Sequence, residues 1–404
     1  MGEEHVKLSA YESLESVGGL RAEWEALLEA FPYSTTFCTW EWLAPWWRAY
    51  GNNDKLLVLA LRNSSSRLIG LAPFGLTAER LAGTRLRALR LMGDGSHDSD
   101  NLDLPVRTGY EAEFSRTLCD WLQQHRLEWD ICQMRTLPAH SPMGNQLLIE
   151  LNARGWKAFT STQPQSVVEL PENWEAYLRK LSSKERGKIT YLARHLEKKY
   201  KVQIRKCVVE AELDCALEAL FELHRKHWQL RGLPGAFQLP ARRQFYRELA
   251  PLLLSRRRLE FWLLELDGKI VAAQFALRHG ESVFALQEGF DPQYASDSVG
   301  YVLRAQVLKN LIDRGIRRYD FLGGDEDSKL RWGAQVKSYL DIEFSRPGSK
   351  GSVLLSLKYR SAGMKAWLRA SLPDPILTTL KRLRGPHLKV RVGDCGRERA
   401  SPGP

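Results

Sequence analysis

The sequence predicts a mixed α/β protein, with a mixed sheet, made of two similar domains in tandem and a basic C-terminal tail. Three observations carry this. Residues Trp262 to Gly333 read strand, turn, strand, turn, strand, loop, helix, strand. The first part of the chain repeats that order coarsely, which is how an internal duplication shows itself. From Arg346 onward there are 13 Lys/Arg against 3 Asp/Glu, so this end carries +10 of the chain's +11. The limits that follow are 1–165, 166–346 and 347–404.

In the first domain a helical region near Trp24 to Tyr50 precedes a strand at Leu56 to Leu61. A turn at Asn63 to Ser66 leads to a strand at Leu68 to Leu76, and more strands are expected through Leu86 to Leu104. A helix from Glu111 to His125 and a strand starting at Trp129 close the unit. Between the domains, Lys180 to Lys206 holds ten Lys/Arg against two Asp/Glu, with helical character from Lys184 to Lys199. It is either a solvated helix bridging domains or a surface facing an anionic partner.

In the second domain Asp267-Gly268 is a two-residue hairpin signal, pairing Leu266 with Lys269, Leu264 with Val271 and Trp262 with Ala273. Gly280-Glu281 is a second tight turn. In its register Ala276 opposes Ala285, Gln274 opposes Gln287 and Ala272 opposes Gly289. Side chains alternate faces, so Gln274 and Gln287 stand together among small residues, as on the floor of a substrate cleft or as a bonded pair. A helix runs from Gly300 to Arg314 and a strand starts at Ile316.

The chain has room for two or three domains, with ordinary apolar (44%) and charged (26%) fractions. There is no apolar run of eighteen residues, and Glu3 and Glu4 do not suit a signal peptide, so a cytoplasmic protein is expected. Six cysteines (38, 119, 132, 207, 215, 395) form no CxxC pair and suggest buried thiols, with no metal site. The charge outside the tail is only +1, which argues against a nucleic-acid-binding body. The tail alternates apolar and basic residues up to Pro373, and its Arg/Gly/Pro-rich end from Gly385 has the composition of disorder. It fits a helix lying on an anionic membrane, which would make the protein peripheral to the inner membrane, or a helix packed on the body.

Candidate site residues follow. Ser298-Val299-Gly300 opens a helix whose N–H groups can hold a pyrophosphate. His224 shares an apolar helical face with Leu217, Leu220 and Trp228, and reads as a core histidine or a site residue. Asp320, on a strand beside Gly323-Gly324, needs a partner if buried, with Lys329 and Arg331 as candidates. Asp98 and Asp100 lie in a loop and serve either a turn or the cleft.

Several short runs carry a family resemblance: Phe37 to Trp42 with Trp46-Trp47, Ala72-Pro73-Phe74, Ser99-Asp100-Asn101-Leu102, Leu223-His224 with Trp228, Gln287 to Pro292, and Asp320 to Gly324. In this order the chain resembles a GNAT-superfamily acyltransferase of the Fem-like CelD/BcsL type. The resemblance covers most of Trp24 to Gly333 and implies paired GNAT-like units. It implies acyl transfer from acetyl-CoA or another acyl-CoA, without a metal, to an amine or sugar hydroxyl on a small molecule or glycan precursor in envelope or exopolysaccharide synthesis. His224 and Asp320 would be catalytic; Gln274, Gln287, Asp100, Trp228 and Lys329 would bind substrate; Ser298, Val299 and Gly300 would bind CoA. The Q/RxxGxG/A loop of ordinary GNAT enzymes is missing. Two alternatives stay open: a Fem-type aminoacyl-tRNA-dependent transferase, for which the basic linker speaks, and a non-catalytic GNAT-like binding module.

Overall fold

The computed structural model describes residues 6–371 apart from 52, 97 and 231, and side chains as far as Ser361. Strand β1 (Lys7–Tyr11) is followed by helices α1 (Leu14–Gly18), α2 (Arg21–Glu29) and α3 (Trp40–Tyr50). Strands β2 (Lys55–Arg62), β3 (Leu68–Leu81) and β4 (Thr84–Leu91) form a meander, then come α4 (Glu111–Gln124), β5 (Ile131–Pro138), α5 (Pro142–Ala153) and β6 (Lys157–Glu169). The second half runs α6 (Trp174–Lys180), α7 (Ser183–Lys199), β7 (Val202–Lys206), α8 (Leu213–Gln229) and α9 (Pro240–Ser255). It continues with β8 (Leu259–Leu266), β9 (Lys269–His279), β10 (Ser282–Phe290), α10 (Val299–Asp313), β11 (Arg318–Gly323), α11 (Asp327–Leu330), β12 (Gln335–Ser345) and α12 (Lys350–Ser371).

All twelve strands join one sheet in the order β1-β2-β3-β4-β5-β12-β6-β11-β10-β9-β8-β7. Each half contributes a meander ending in a short parallel pair, β4 with β5 and β10 with β11. The halves then exchange their last strands: β6 lies beside β11, and β12 lies beside β5. The limit set at 165/166 therefore falls inside β6, and the exchanged strands bind the halves into one sheet. Helices α3 and α9 pack across the seam, with Trp42 and Phe245 rings 5.0 Å apart and edge-on. A buried ion pair, Arg242 Nη2 to Asp98 Oδ1 at 2.7 Å, spans the same seam, and Tyr246 adds a hydroxyl donor to Asp98 at 3.0 Å.

In the second half alternate residues of the meander feed two cores. Phe261, Leu263, Phe275, Leu277 and Phe284 meet α8 and α9, while Trp262, Leu264, Ala272, Ala276 and Val283 meet α7 and α10. The basic segment forms a helix (α7) with one apolar side (Ile189, Leu192, Leu196) against this second core, then a strand (β7). The expected strands between 92 and 104 are replaced by a loop. Gly93 and Gly95 have φ of 99° and 93°, and its Asp and Ser side chains serve as local acceptors. Both hairpin registers also slip by one. Bulges between Leu264/Glu265 and Ala285/Gln287 give Trp262↔Gln274, Gln274↔Glu288 and Gln287↔Phe275.

Part of the tail belongs to the body. Leu355 is buried with Leu86, Ala88 and Ile131, and Tyr359 stacks on Phe159 at 4.3 Å. Gly351 lies so close to Asp130 that a Cβ would sit 2.1 Å from its carbonyl oxygen. The expected disordered end from Gly385, and Cys395, lie outside the described residues. Among the described residues no helix is long and apolar enough to cross a membrane, and no group of three or more His, Cys, Asp or Glu is arranged to hold a metal.

Candidate active site

The site is built where β10 and β11 part. They pair only from Ser282↔Arg318 to Phe284↔Asp320, after which β10 bulges and the strands diverge. The chain leaves β10, turns, and enters α10, so the helix N-terminus returns to the same open end. Ser298 sits there in the left-handed region (φ 54°, ψ 40°), with no side-chain cap. A left-handed residue followed by helical ones turns successive N–H groups toward one point, a concavity suited to anions. Among the described residues the amides of Val299 and Gly300 have no backbone partner, since the first bonds of the helix start at Tyr301 and Val302. A Cβ on Gly300 would meet nothing closer than Phe290 at 3.5 Å, so the position is open. The first half differs: β4 is followed by the long 92–110 loop, and its helix, α4, starts from Tyr110 at φ −107°, outside the left-handed region.

On one side of this opening stands α8. Gly289 of β10 approaches its backbone so closely that a Cβ would lie 2.6 Å from the amide nitrogen of His224. His224 is buried, hydrogen-bonds Gln287, and packs tilted against Trp228 and edge-on against Phe237 (centroids 5.7 and 5.0 Å). Burial first, then the charge of Arg242, lowers its pKa to about 3, so the ring is neutral at physiological pH and a weak base. Its Nδ1 is buried without a partner among the described residues. Gln274 points the other way, donating to the Tyr319 hydroxyl at 2.7 Å on the α10 side. The two glutamines expected to stand together are thus on opposite faces, because the bulge adds a residue between them.

The third wall comes from the first half. Its 93–103 loop crosses the seam and places Asp100 and Asn101 on the end of β11. Gly323 donates its amide to Asp100 Oδ2 at 2.9 Å. Asn101 takes the left-handed conformation (φ 52°), which asparagine tolerates. Its side-chain amide donates to the Tyr339 hydroxyl at 3.1 Å and to Asp320 at 3.4 Å. Asp320 is fully buried and also accepts from Gln165 Nε2 (2.5 Å) and from the amide of Leu322 (2.8 Å). That last bond holds Leu322 at φ 64°, an unusual conformation for a branched residue, stabilised by its surroundings. Thr136 repeats the feature in β5 at φ 55°, with its amide on Asp341 at 2.9 Å.

The partners expected for Asp320 are elsewhere. Lys329 donates to the Gly323 carbonyl and pairs with Glu326 at 3.0 Å, and Arg331 bonds the Asp327 carbonyl. With neutral donors only, burial pushes the Asp320 carboxyl up to about 7, the Leu322 amide and Gln165 holding it back and Asp100 adding to the rise. Asp100 is raised as well, burial outweighing the Gly323 amide and Lys329. Sequence reading missed Asn101, Gln165 and Tyr339 as members of this network. Asn101 lay inside a quoted run, whereas Gln165 and Tyr339 belong to the exchanged strands, whose meeting leaves no local pattern.

Residues 183–330, which contain the parted strands, α10 and α8, match the family model described as an acetyltransferase (GNAT) domain. This segment is similar to a GNAT domain. The model covers under half of the chain, and the solved structures extend the likeness in fold. The crystal structure of FemX aligns over 84% of this chain and 97% of its own, at 11% identity and a TM-score of 0.59. A conserved protein of unknown function from Bacteroides thetaiotaomicron VPI-5482 aligns over 84% of this chain and 100% of its own, at 13% identity and a TM-score of 0.54. At such identities the likeness is one of fold. No curated protein matches the sequence. The matched segment thus carries the helix start and the parted strands, while Asp100 and Asn101 reach it from outside.

Proposed function

We propose that this protein is an acyltransferase of GNAT type that moves an acyl group from acyl-CoA to an amine or sugar hydroxyl. The observation that carries the reading is the uncapped, left-handed start of α10 at the mouth of the parted strands, inside the GNAT-type segment. In this reading the pyrophosphate rests on the amides of Val299 and Gly300. The thioester lies between β10 and β11, where a backbone N–H of the splayed strand would face the carbonyl as negative charge develops. The acceptor enters beside Asp100 and attacks the thioester carbon; the amine proton passes to Asp100, and the thiolate leaves with CoA. Asp320, inside the network, positions the loop that carries Asp100. His224, a weak base, orients Gln287 and shapes the wall. An acceptor in envelope or exopolysaccharide synthesis rests on the CelD/BcsL resemblance alone.

A second reading, aminoacyl transfer from charged tRNA, is favoured by the groove of about 890 Å³ along α7, lined by Arg186, Arg194, His195 and Lys198 beside the exposed Tyr191. Calorimetry separates the two. Acetyl-CoA or a longer acyl-CoA should bind, and Gly300→Val, which the open position accommodates, should weaken that binding at least tenfold by obstructing the amides. Affinity for charged tRNA without affinity for any acyl-CoA would select the second reading. Binding of neither would leave a GNAT-like binding module.

A further inference from the structure

The packing of α12 gives the tail a fixed outer face. Its inner side is spent on Leu355, Gly351 and Tyr359, and Lys358 donates to Glu343 at 2.5 Å. The outer side shows Lys350, Val353, Leu357 and Arg360, a stripe at helical spacing in which every residue is exposed. Val353 and Leu357 keep 58% and 55% of their surface open. The α4–β5 corner meets the start of this helix. Leu127, at its tip, is 78% exposed, and its carbonyl accepts from Arg87. The carbonyl of Arg126 accepts from Arg346 at 2.5 Å, and Lys350 reaches the buried Asp130 at 3.2 Å. Three aliphatic side chains are thus set among Arg87, Arg126, Arg346, Lys350 and Arg360, with Glu128 as an exposed acid nearby.

We infer that this corner, Leu127 with the outer stripe of α12, is a docking surface for an anionic lipid membrane. Aliphatic groups ringed by basic ones match the boundary between acyl chains and anionic headgroups: the first insert, the second stay among the phosphates. Nucleic acid would gain from arginines and stacking aromatics, and would leave the leucines in water. The sequence beyond continues in kind, with Lys365 and Arg369 and a net of +10 from Arg346 onward. Because α12 is held on the sheet, docking would also fix the orientation of the body, which a loose tail cannot do. This inference is independent of the acyl-transfer reading.

The test uses the full chain and sedimentation with vesicles of phosphatidylcholine alone or mixed with phosphatidylglycerol. Binding to the mixed vesicles only, falling as salt is raised, is expected. Leu127→Glu, Val353→Glu and Leu357→Glu together should reduce it by at least about tenfold. All three are exposed, so the melting temperature should stay within a few degrees. Arg126→Ser with Arg360→Ser, a milder pair, should weaken binding and flatten its salt dependence. Wild-type binding by both variants would overturn the inference, as would equal binding to neutral vesicles, or retention on RNA with no vesicle binding at all.

Discussion

Gly323 and Asp100 meet across the seam at 2.9 Å, amide to carboxylate, and so tie the exposed end of β11 to a loop from the other half. The contact puts a half-buried carboxylate from one half beside the parted strands of the other. Neither half presents this arrangement alone.

Asp100→Asn tests the chemistry. The amide keeps the size and an oxygen for Gly323, so stability should change by less than about 1 kcal/mol. Turnover should fall on the order of 10²- to 10⁴-fold if Asp100 takes the acceptor's proton. Its pKa is raised, so wild-type activity should drop as pH falls through that raised value and the base becomes protonated. Normal turnover by the variant, measured with saturating acceptor, would remove Asp100 from the reaction.

Asp98→Ala tests the seam. It leaves the Arg242 guanidinium buried without its carboxylate and orphans the Tyr246 hydroxyl. Denaturant unfolding should show a loss of about 3–5 kcal/mol. A loss under about 1 kcal/mol would mean that water or a neighbouring acid replaces the partner.

Asp103 tests the interior. It is buried, its Oδ1 accepts from Leu104 at 2.8 Å, and burial raises its carboxyl to about 7. The folded state keeps a proton that the unfolded chain releases near the usual 3.8. Its contribution to stability is therefore complete below about pH 4 and is lost as pH rises through about 7. Asp320, also near 7, acts in the same direction. Asp103→Asn, which cannot ionise, should melt close to wild type at pH 4 and above it at pH 8. A difference that does not grow with pH would contradict this account.

Leu355→Ala tests the docked part of the tail. The side chain is fully buried over Leu86, Ala88 and Ile131, so its truncation should cost about 2–5 kcal/mol. A chain ended at Arg346 should lose more, since it also uncovers Phe159. If that shorter chain melts with the full one, α12 contributes nothing to the fold.

The sequence by itself determined what local forces decide. The spacing of apolar residues marked α4, α7 and the β8–β10 meander, and Asp267-Gly268 and Gly280-Glu281 marked its turns, because periodicity and turn chemistry act over a few residues. Ser298 to Gly300 was legible as a helix start for the same reason. The tertiary structure decided what depends on distant partners. Bulges at 264/265 and 285/287 answer to packing on both faces, so the register, and with it the side on which Gln287 stands, could not be counted from the turns. The exchange of β6 and β12 brings Gln165 and Tyr339 to Asp320 and Asn101, and no local pattern records a pairing between residues more than a hundred positions apart. The charge of the tail was plain in its composition, but the buried face of α12 was set by a groove that exists only once β4, β5 and β6 have assembled.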